Sequence, residues 1–100
     1  MRDINYFGGV VKLLENPIQK LINNNISVTE FRVQLPQVRN TKIVTLVFWG
    51  NLSHNVANYY KINDYILIEG YLGLPKKVNL KEVEITVLKV YPFLLKDNSL

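Results

Sequence analysis

The sequence predicts an all-β fold, a small five-stranded Greek-key barrel with one short helix between its third and fourth long strands. Three observations predict it. In the second half of residues 26–35, Phe31, Val33 and Leu35 share one strand face and Glu30, Arg32 and Gln34 the other. Residues 43–49 form an apolar strand that closes on Trp49-Gly50-Asn51-Leu52 and leads into a short amphipathic stretch ending at Tyr60. After a tight turn, residues 65–72 give a second apolar strand that closes on Glu69-Gly70-Tyr71-Leu72.

Each element can be justified in order. Residues 4–14 are rich in aromatic and β-branched side chains, and Gly8-Gly9 inside them predicts a long first strand that bends or bulges at the glycines. Glu15-Asn16-Pro17 predicts a turn, because Pro17 removes a donor and restricts Asn16. Lys20-Leu21-Ile22 predicts a short strand before Asn23-Asn24-Asn25, whose side chains tolerate the left-handed backbone of a tight turn. The strand over residues 43–49 is apolar on both faces except at Thr45, so it needs cover on each side. With Val44, Leu46 and Phe48 in the core, Ile43, Val47 and Trp49 are expected on the opposite surface beside Arg32 and Gln34.

Leu52, Val56 and Tyr59 or Tyr60 recur at helical spacing, with Asn51 available as N-cap and Asn63 suited to the left-handed position beyond the helix. Tyr6, Tyr59 and Tyr60 are expected in the core or packed on the helix. Over residues 65–72, Ile66, Ile68 and Leu72 share one face, and Leu67, Glu69 and Tyr71 the other. Residues 73–81 form a loop with Pro75 and three lysines, and residues 82–90 the last strand. In that strand Val83, Ile85 and Val87 point inward, and Glu82, Glu84 and Thr86 face water. Five long strands with a helix in this place match the OB-fold. The expected organisation is one OB-fold domain over residues 1–91 and a tail over residues 92–100, in which Phe93-Leu94-Leu95 docks locally.

Composition narrows the function. One hundred residues with 48% apolar content suffice for one core. Without cysteine the chain has no disulfide, thiolate metal site or thiol nucleophile. No apolar run approaches the ~18 residues of a membrane span, and Asp3 and Asn5 interrupt any signal-peptide pattern, so a soluble protein with no membrane association is expected. His54, the single histidine, reads as a solvated residue, and Glu82 and Glu84 lack a companion ligand, so no metal and no cofactor are expected. No nucleophile–base pair is visible, and the reading is non-enzymatic. The net charge of +4 and pI near 9.4 suit a polyanionic partner. Nine lysines against three arginines, with twelve asparagines and nine isoleucines, follow A/T-rich codons and suggest the genome of an organelle or endosymbiont.

An OB-fold often presents aromatic rings to single-stranded nucleic acid, and Trp49 is placed to stack on a base. Its bland alternative is a ring packed on the helix or buried in a subunit contact. Tyr71 projects from the same outer face. Arg39, Lys42, Lys76, Lys77 and Lys81 lie in the two connections that flank the groove of such a barrel, with Arg32 on its floor. The bland reading of these lysines is solubility.

The elements Asn5, Gly8, Asn16-Pro17, Phe31-Arg32-Val33-Gln34-Leu35, Trp49-Gly50-Asn51-Leu52, Tyr59-Tyr60-Lys61-Ile62-Asn63 and Glu69-Gly70-Tyr71-Leu72 carry a resemblance. Over about residues 4–90 the chain resembles the bacterial and organellar single-stranded DNA-binding protein family, and within it the short members encoded in algal plastids. The resemblance implies sequence-tolerant, non-enzymatic binding of single-stranded DNA in plastid replication, repair or recombination. It also implies a homotetramer or homodimer whose first strands pair across a two-fold axis. RNA is a possible ligand, because stacking and phosphate contacts do not distinguish sugars.

Departures from the family pattern are specific. Trp49 stands where the family usually has Phe, and Ile43 and Lys77 stand where tryptophan is common. The long basic loop between the second and third strands is reduced to residues 36–42, and Lys96-Asp97-Asn98-Ser99-Leu100 stands in place of an acidic tail. These departures motivate a second expectation, an OB-fold protein–protein adaptor with weak or lost nucleic-acid binding. Its docking face would be Ile43, Val47, Trp49 and Tyr71.

Overall fold

The computed structural model describes residues 5–23, 25–36, 42–73 and 83–93. Its elements are β1 (Tyr6–Leu13), β2 (Ile18–Ile22), β3 (Ile26–Leu35), β4 (Lys42–Trp49), α1 (Asn51–Tyr59), β5 (Tyr65–Gly73) and β6 (Glu84–Pro92). The strands run in the order β1-β5-β6-β4-β3-β2, and Lys12↔Gln34 and Leu13↔Val33 join β1 to β3. That last pairing closes five strands into the barrel. The short β2 lies outside the ring as a hairpin arm on β3, registered from Ile18↔Glu30 to Ile22↔Ile26.

The alternation expected for β3 is present. Phe31 and Val33 are buried and pair with Leu46 and Val44, so both strands turn the same series inward. Phe31 stacks on Phe48 at 5.3 Å between centroids, and Val56 of α1, Ile66, Ile68, Ile85 and Val87 complete the packing. Each such side chain contributes about 1.5–3 kcal/mol by leaving water, which makes this cluster the main source of stability.

Several expectations are corrected. Gly8 and Gly9 pair with Glu69 and Ile68 in unbroken register, so the first strand does not bulge there. The irregularity falls instead between Glu69 and Gly70, opposite β6: Glu69 faces Lys89, Gly70 faces Val87, and Leu88 is the extra residue. A Cβ on Gly70 would run into the Thr86 carbonyl, so the two backbones approach this closely only because residue 70 has no side chain. Val83 is exposed because β6 begins one residue later, at Glu84. Tyr6 and Tyr59 are also exposed, Tyr59 at 77%, because Tyr6 points off the outer face of β1 and Tyr59 off the outer side of α1; only Tyr60 packs on the core. Asn51 is the first residue of α1, not its cap. That position is taken by Gly50, with no side-chain cap bond.

The turns follow their asparagines. Asn23 (φ 53°) and Asn63 (φ 78°) both take left-handed backbone. Asn16 accepts from the Ile62 N–H at 2.7 Å and ties the turn after α1 to the β1–β2 connection.

Candidate nucleic-acid interface

Trp49 is the last residue of β4 and is 46% exposed. Its cross-strand partner is Val28, so it belongs to the outward series that includes Val47, Thr45 and Ile43. Gly50 (φ 67°, ψ −137°) then reverses the chain into α1 with a backbone conformation that L-residues avoid. The Gly50 N–H donates to the Ser27 carbonyl at 2.9 Å, and the Gly50 carbonyl receives the His54 N–H at 3.3 Å, starting the helix.

A hydroxyl relay fixes the helix to the barrel. Gln19 Nε2 donates to Ser27 Oγ (2.6 Å), Ser27 pairs with Ser53 Oγ (2.9 Å), and Ser53 pairs with Thr29 Oγ1 (2.7 Å). Thr29 in turn donates to the Ser53 carbonyl at 3.0 Å. Every buried side-chain nitrogen and oxygen among the described residues has a partner. The result is a Trp49 whose backbone is held on both sides while its ring faces outward.

Strand register defines the rest of that face. Val47 sits between Glu30 on β3 and Thr86 on β6, and it is only 4% exposed. It lies on the expected face but is covered by its neighbours, so Ile43, Trp49 and Tyr71 remain exposed without it. Thr86 also pairs with Tyr71, which pairs with Tyr6. Tyr71 and Trp49 therefore share one surface, roughly 12 Å apart with β6 between them. The Tyr6 and Tyr71 rings meet edge to face at 5.4 Å, and Tyr6 donates to Glu69 at 2.5 Å. This bond, reinforced by the negative charge, pushes the Tyr6 phenol up to about 12. The sequence reading missed Tyr6 and Glu69 here, since their contact spans 63 residues.

Arg32 also lies on this face, opposite Thr45, with Glu15 against it. Arg32 Nε donates to Glu15 Oε2 at 2.8 Å, Nη2 lies 2.7 Å from the same oxygen, and the Arg32 N–H donates to Oε1 at 2.9 Å. The two N–H contacts and the guanidinium charge hold the Glu15 carboxyl below its ordinary range. Lys42 is exposed but falls in the inward series, opposite Leu35, at the far end of β4 roughly 23 Å from Trp49. Arg39, Lys76, Lys77 and Lys81 lie outside the described residues. A separate groove of about 600 Å³ opens at the other end of α1, between Tyr59, Tyr60, Tyr65 and Phe93. Among the described residues no three His, Asp or Glu gather to hold a metal, and no helix is long and apolar enough to cross a membrane.

This architecture recurs in solved structures. The SSB domain of a Synechococcus sp. protein matches with a TM-score of 0.76 at 23% identity, over 91% of this chain and 98% of that one. Wild-type single-stranded DNA-binding protein from Thermus aquaticus matches at 0.80 and 12% identity, over 97% of this chain and 44% of that one. At these identities the likeness is one of fold, and it defines the class: a closed OB-fold barrel with a single helix between β4 and β5. The second single-stranded DNA-binding protein (SSBb) of Mycobacterium smegmatis matches at 0.74 and 27% identity, over 88% of this chain and 87% of that one. No family model matches the chain.

Sequence comparison goes further than fold. The chain is 38% identical over 103 residues to "Putative single-stranded DNA-binding protein ycf41" of Trieres chinensis, covering 92% of this chain and 91% of that protein. It belongs to the single-stranded DNA-binding protein family.

Proposed function

We propose that the protein binds single-stranded DNA without sequence preference and without catalysing a reaction, in the replication, repair or recombination of a plastid genome. The observation that carries this reading is Trp49, a half-exposed indole on an outer sheet face whose backbone is clamped by Gly50 and the hydroxyl relay. A flat ring held this way stacks on any base, because every base has a π-face. Family membership supports the ligand. The A/T-biased composition and the likeness to ycf41 support the plastid setting.

One stacking ring gives one copy only modest affinity, so useful binding requires several copies on one strand. Self-association is supported by β1, which pairs with β5 along its length but with β3 only at Lys12 and Leu13. Among the described residues no strand pairs with the other edge of Tyr6 to Val11, the geometry in which a second first strand can add.

Titration with poly(dT) at two salt concentrations tests the proposal through Trp49 fluorescence. Quenching with a log–log salt slope near −2, about 0.7 for each of three phosphates, is expected. An unresponsive, blue-shifted Trp49 rejects stacking. Light scattering of the eluted protein checks assembly, and a clean monomer of 11.6 kDa at micromolar concentration contradicts it.

A second reading, protein docking, is favoured by one observation. Ile18, Leu21 and Ile22 of β2 and Ile26 of β3 are all exposed, on the arm beside Trp49. The same titration separates the two readings.

A further inference from the structure

We propose that Glu15 sets the affinity of the outer face for a nucleic-acid strand: its carboxylate occupies the fork of Arg32, and an incoming phosphate must displace it. The inference rests on the nucleic-acid reading above. A guanidinium fork accepts a carboxylate and a phosphate in the same way, through parallel N–H donors, so the two are direct competitors. Glu15 Oε2 already takes Nε at 2.8 Å and Nη2 at 2.7 Å.

Local geometry keeps Glu15 in place. The Leu14 N–H donates to the Arg32 carbonyl at 3.0 Å, continuing the β1–β3 pairing by one more bond. The next contact in that direction is made by the Glu15 side chain, whose Oε1 receives the Arg32 N–H where a strand would offer a carbonyl. Pro17, buried two residues later, anchors the connection from the other side. A carboxylate held in the charged form by these donors stays a competitor at neutral pH.

The contact is also open to exchange. The Arg32 and Glu15 side chains are 51% and 39% exposed, so a phosphate can reach them from solvent. Arg32 lies on the same face as Trp49, four residues along β3 from Val28, the partner of Trp49, or roughly 13 Å away. Paired with Glu15, it adds no net charge to the field that draws in a polyanion.

The test is a double-mutant cycle read by poly(dT) affinity over a range of salt. Glu15→Gln keeps the length of the side chain and an acceptor for the Arg32 N–H but removes the charge. Because exposed pairs are weak, a gain of about two- to fivefold at low salt is expected. The log–log slope should steepen by about 0.7, one further phosphate. In an Arg32→Met background the same substitution should give no gain. Glu30→Gln, which removes another exposed carboxylate from this face, should gain less than Glu15→Gln. Should Glu15→Gln melt early, Glu15→Asn serves the same cycle, since it also removes the charge while keeping an amide acceptor.

Equal gains in both Arg32 backgrounds, or from Glu30→Gln, would reduce the effect to net charge and overturn the proposal. No gain, or a loss, from Glu15→Gln overturns it too, a loss meaning that Glu15 positions Arg32 instead of competing for it. If wild type binds and the cycle is flat, only this inference fails. If no protein in the set binds poly(dT), the nucleic-acid reading fails with it.

Discussion

Replacing Trp49 by alanine removes the ring on which the proposed function depends, and the structure sets the size of the effect. A tryptophan side chain offers about 250 Å². At 46% exposure, about 115 Å² remains in solvent. A base stacked on one ring face covers about half of that, which at ~25 cal/mol/Å² is about 1.5 kcal/mol. This falls inside the ~1–3 kcal/mol found for aromatic–base stacking and corresponds to a loss of about tenfold in affinity. Trp49→Phe, which keeps a smaller ring in the same place, should lose less. Anisotropy of a labelled oligo(dT) measures both variants at two salt concentrations. Because the indole carries no charge, the midpoint should move while the salt slope stays fixed. A folded Trp49→Ala protein with wild-type affinity would refute stacking, and a flattened slope would show that the substitution had disturbed cations instead.

Four further outcomes follow from named contacts. Gly70→Ala should destabilise the barrel by at least about 2 kcal/mol in urea unfolding, because the Thr86 carbonyl occupies the space; Gly8→Ala, with its nearest contact at 3.8 Å, should be close to neutral, and equal midpoints would contradict this. Gly50→Ala meets no steric obstacle but forces an L-residue to φ 67°, so it should cost about 1–3 kcal/mol and weaken DNA binding by moving Trp49. Tyr6 should ionise later than an ordinary tyrosine: its raised pKa gives a stabilising contribution present below pH ~10 and lost as pH climbs toward about 12, and tyrosinate absorbance of Tyr6→Phe should lose that late step. Glu15 behaves oppositely, contributing above pH ~4.3 and losing its contribution as pH falls through its depressed value, so its carboxyl resonance should titrate below that of a free glutamate and return toward it in Arg32→Met.

Much of the barrel was legible because strand patterning is local. The period-two series of Phe31, Val33, Val44, Leu46 and Phe48 defines an inward face whatever the register, and the five long strands follow from it. Trp49-Gly50 was legible for a related reason, since a strand that ends at a glycine before a helical repeat exposes the residue at its end. Val47 shows the limit. Alternation gave its face correctly, but its burial depends on Glu30 and Thr86 standing on either side, and the latter requires knowing that β4 pairs with β6. Arg32 shows the same limit in electrostatics. The sequence offers it as a floor cation, whereas Glu15, 17 residues away, is brought to it only by closure of β1 against β3. The bulge at Gly70 escaped because a close approach of two backbones leaves no mark on the pattern beyond the glycine itself.

These placements divide the outer face into two chemically different halves. On the β3–β4 side are Trp49, Ile43 and Arg32, the last with its charge balanced by Glu15. On the β1–β5 side are Tyr6 and Tyr71 packed edge to face around Glu69, next to the edge of β1 that no other described strand pairs with. A carboxylate fixed among exposed rings disfavours a phosphate backbone there, while exposed tyrosines beside a strand edge that no other described strand covers suit contact with another copy of the chain. The same physics that favours Trp49 as the proposed stacking ring therefore makes Tyr71 the weaker candidate. Strand binding and self-association can then use one surface without competing for it, and binding by several copies becomes compatible with a single stacking ring in each.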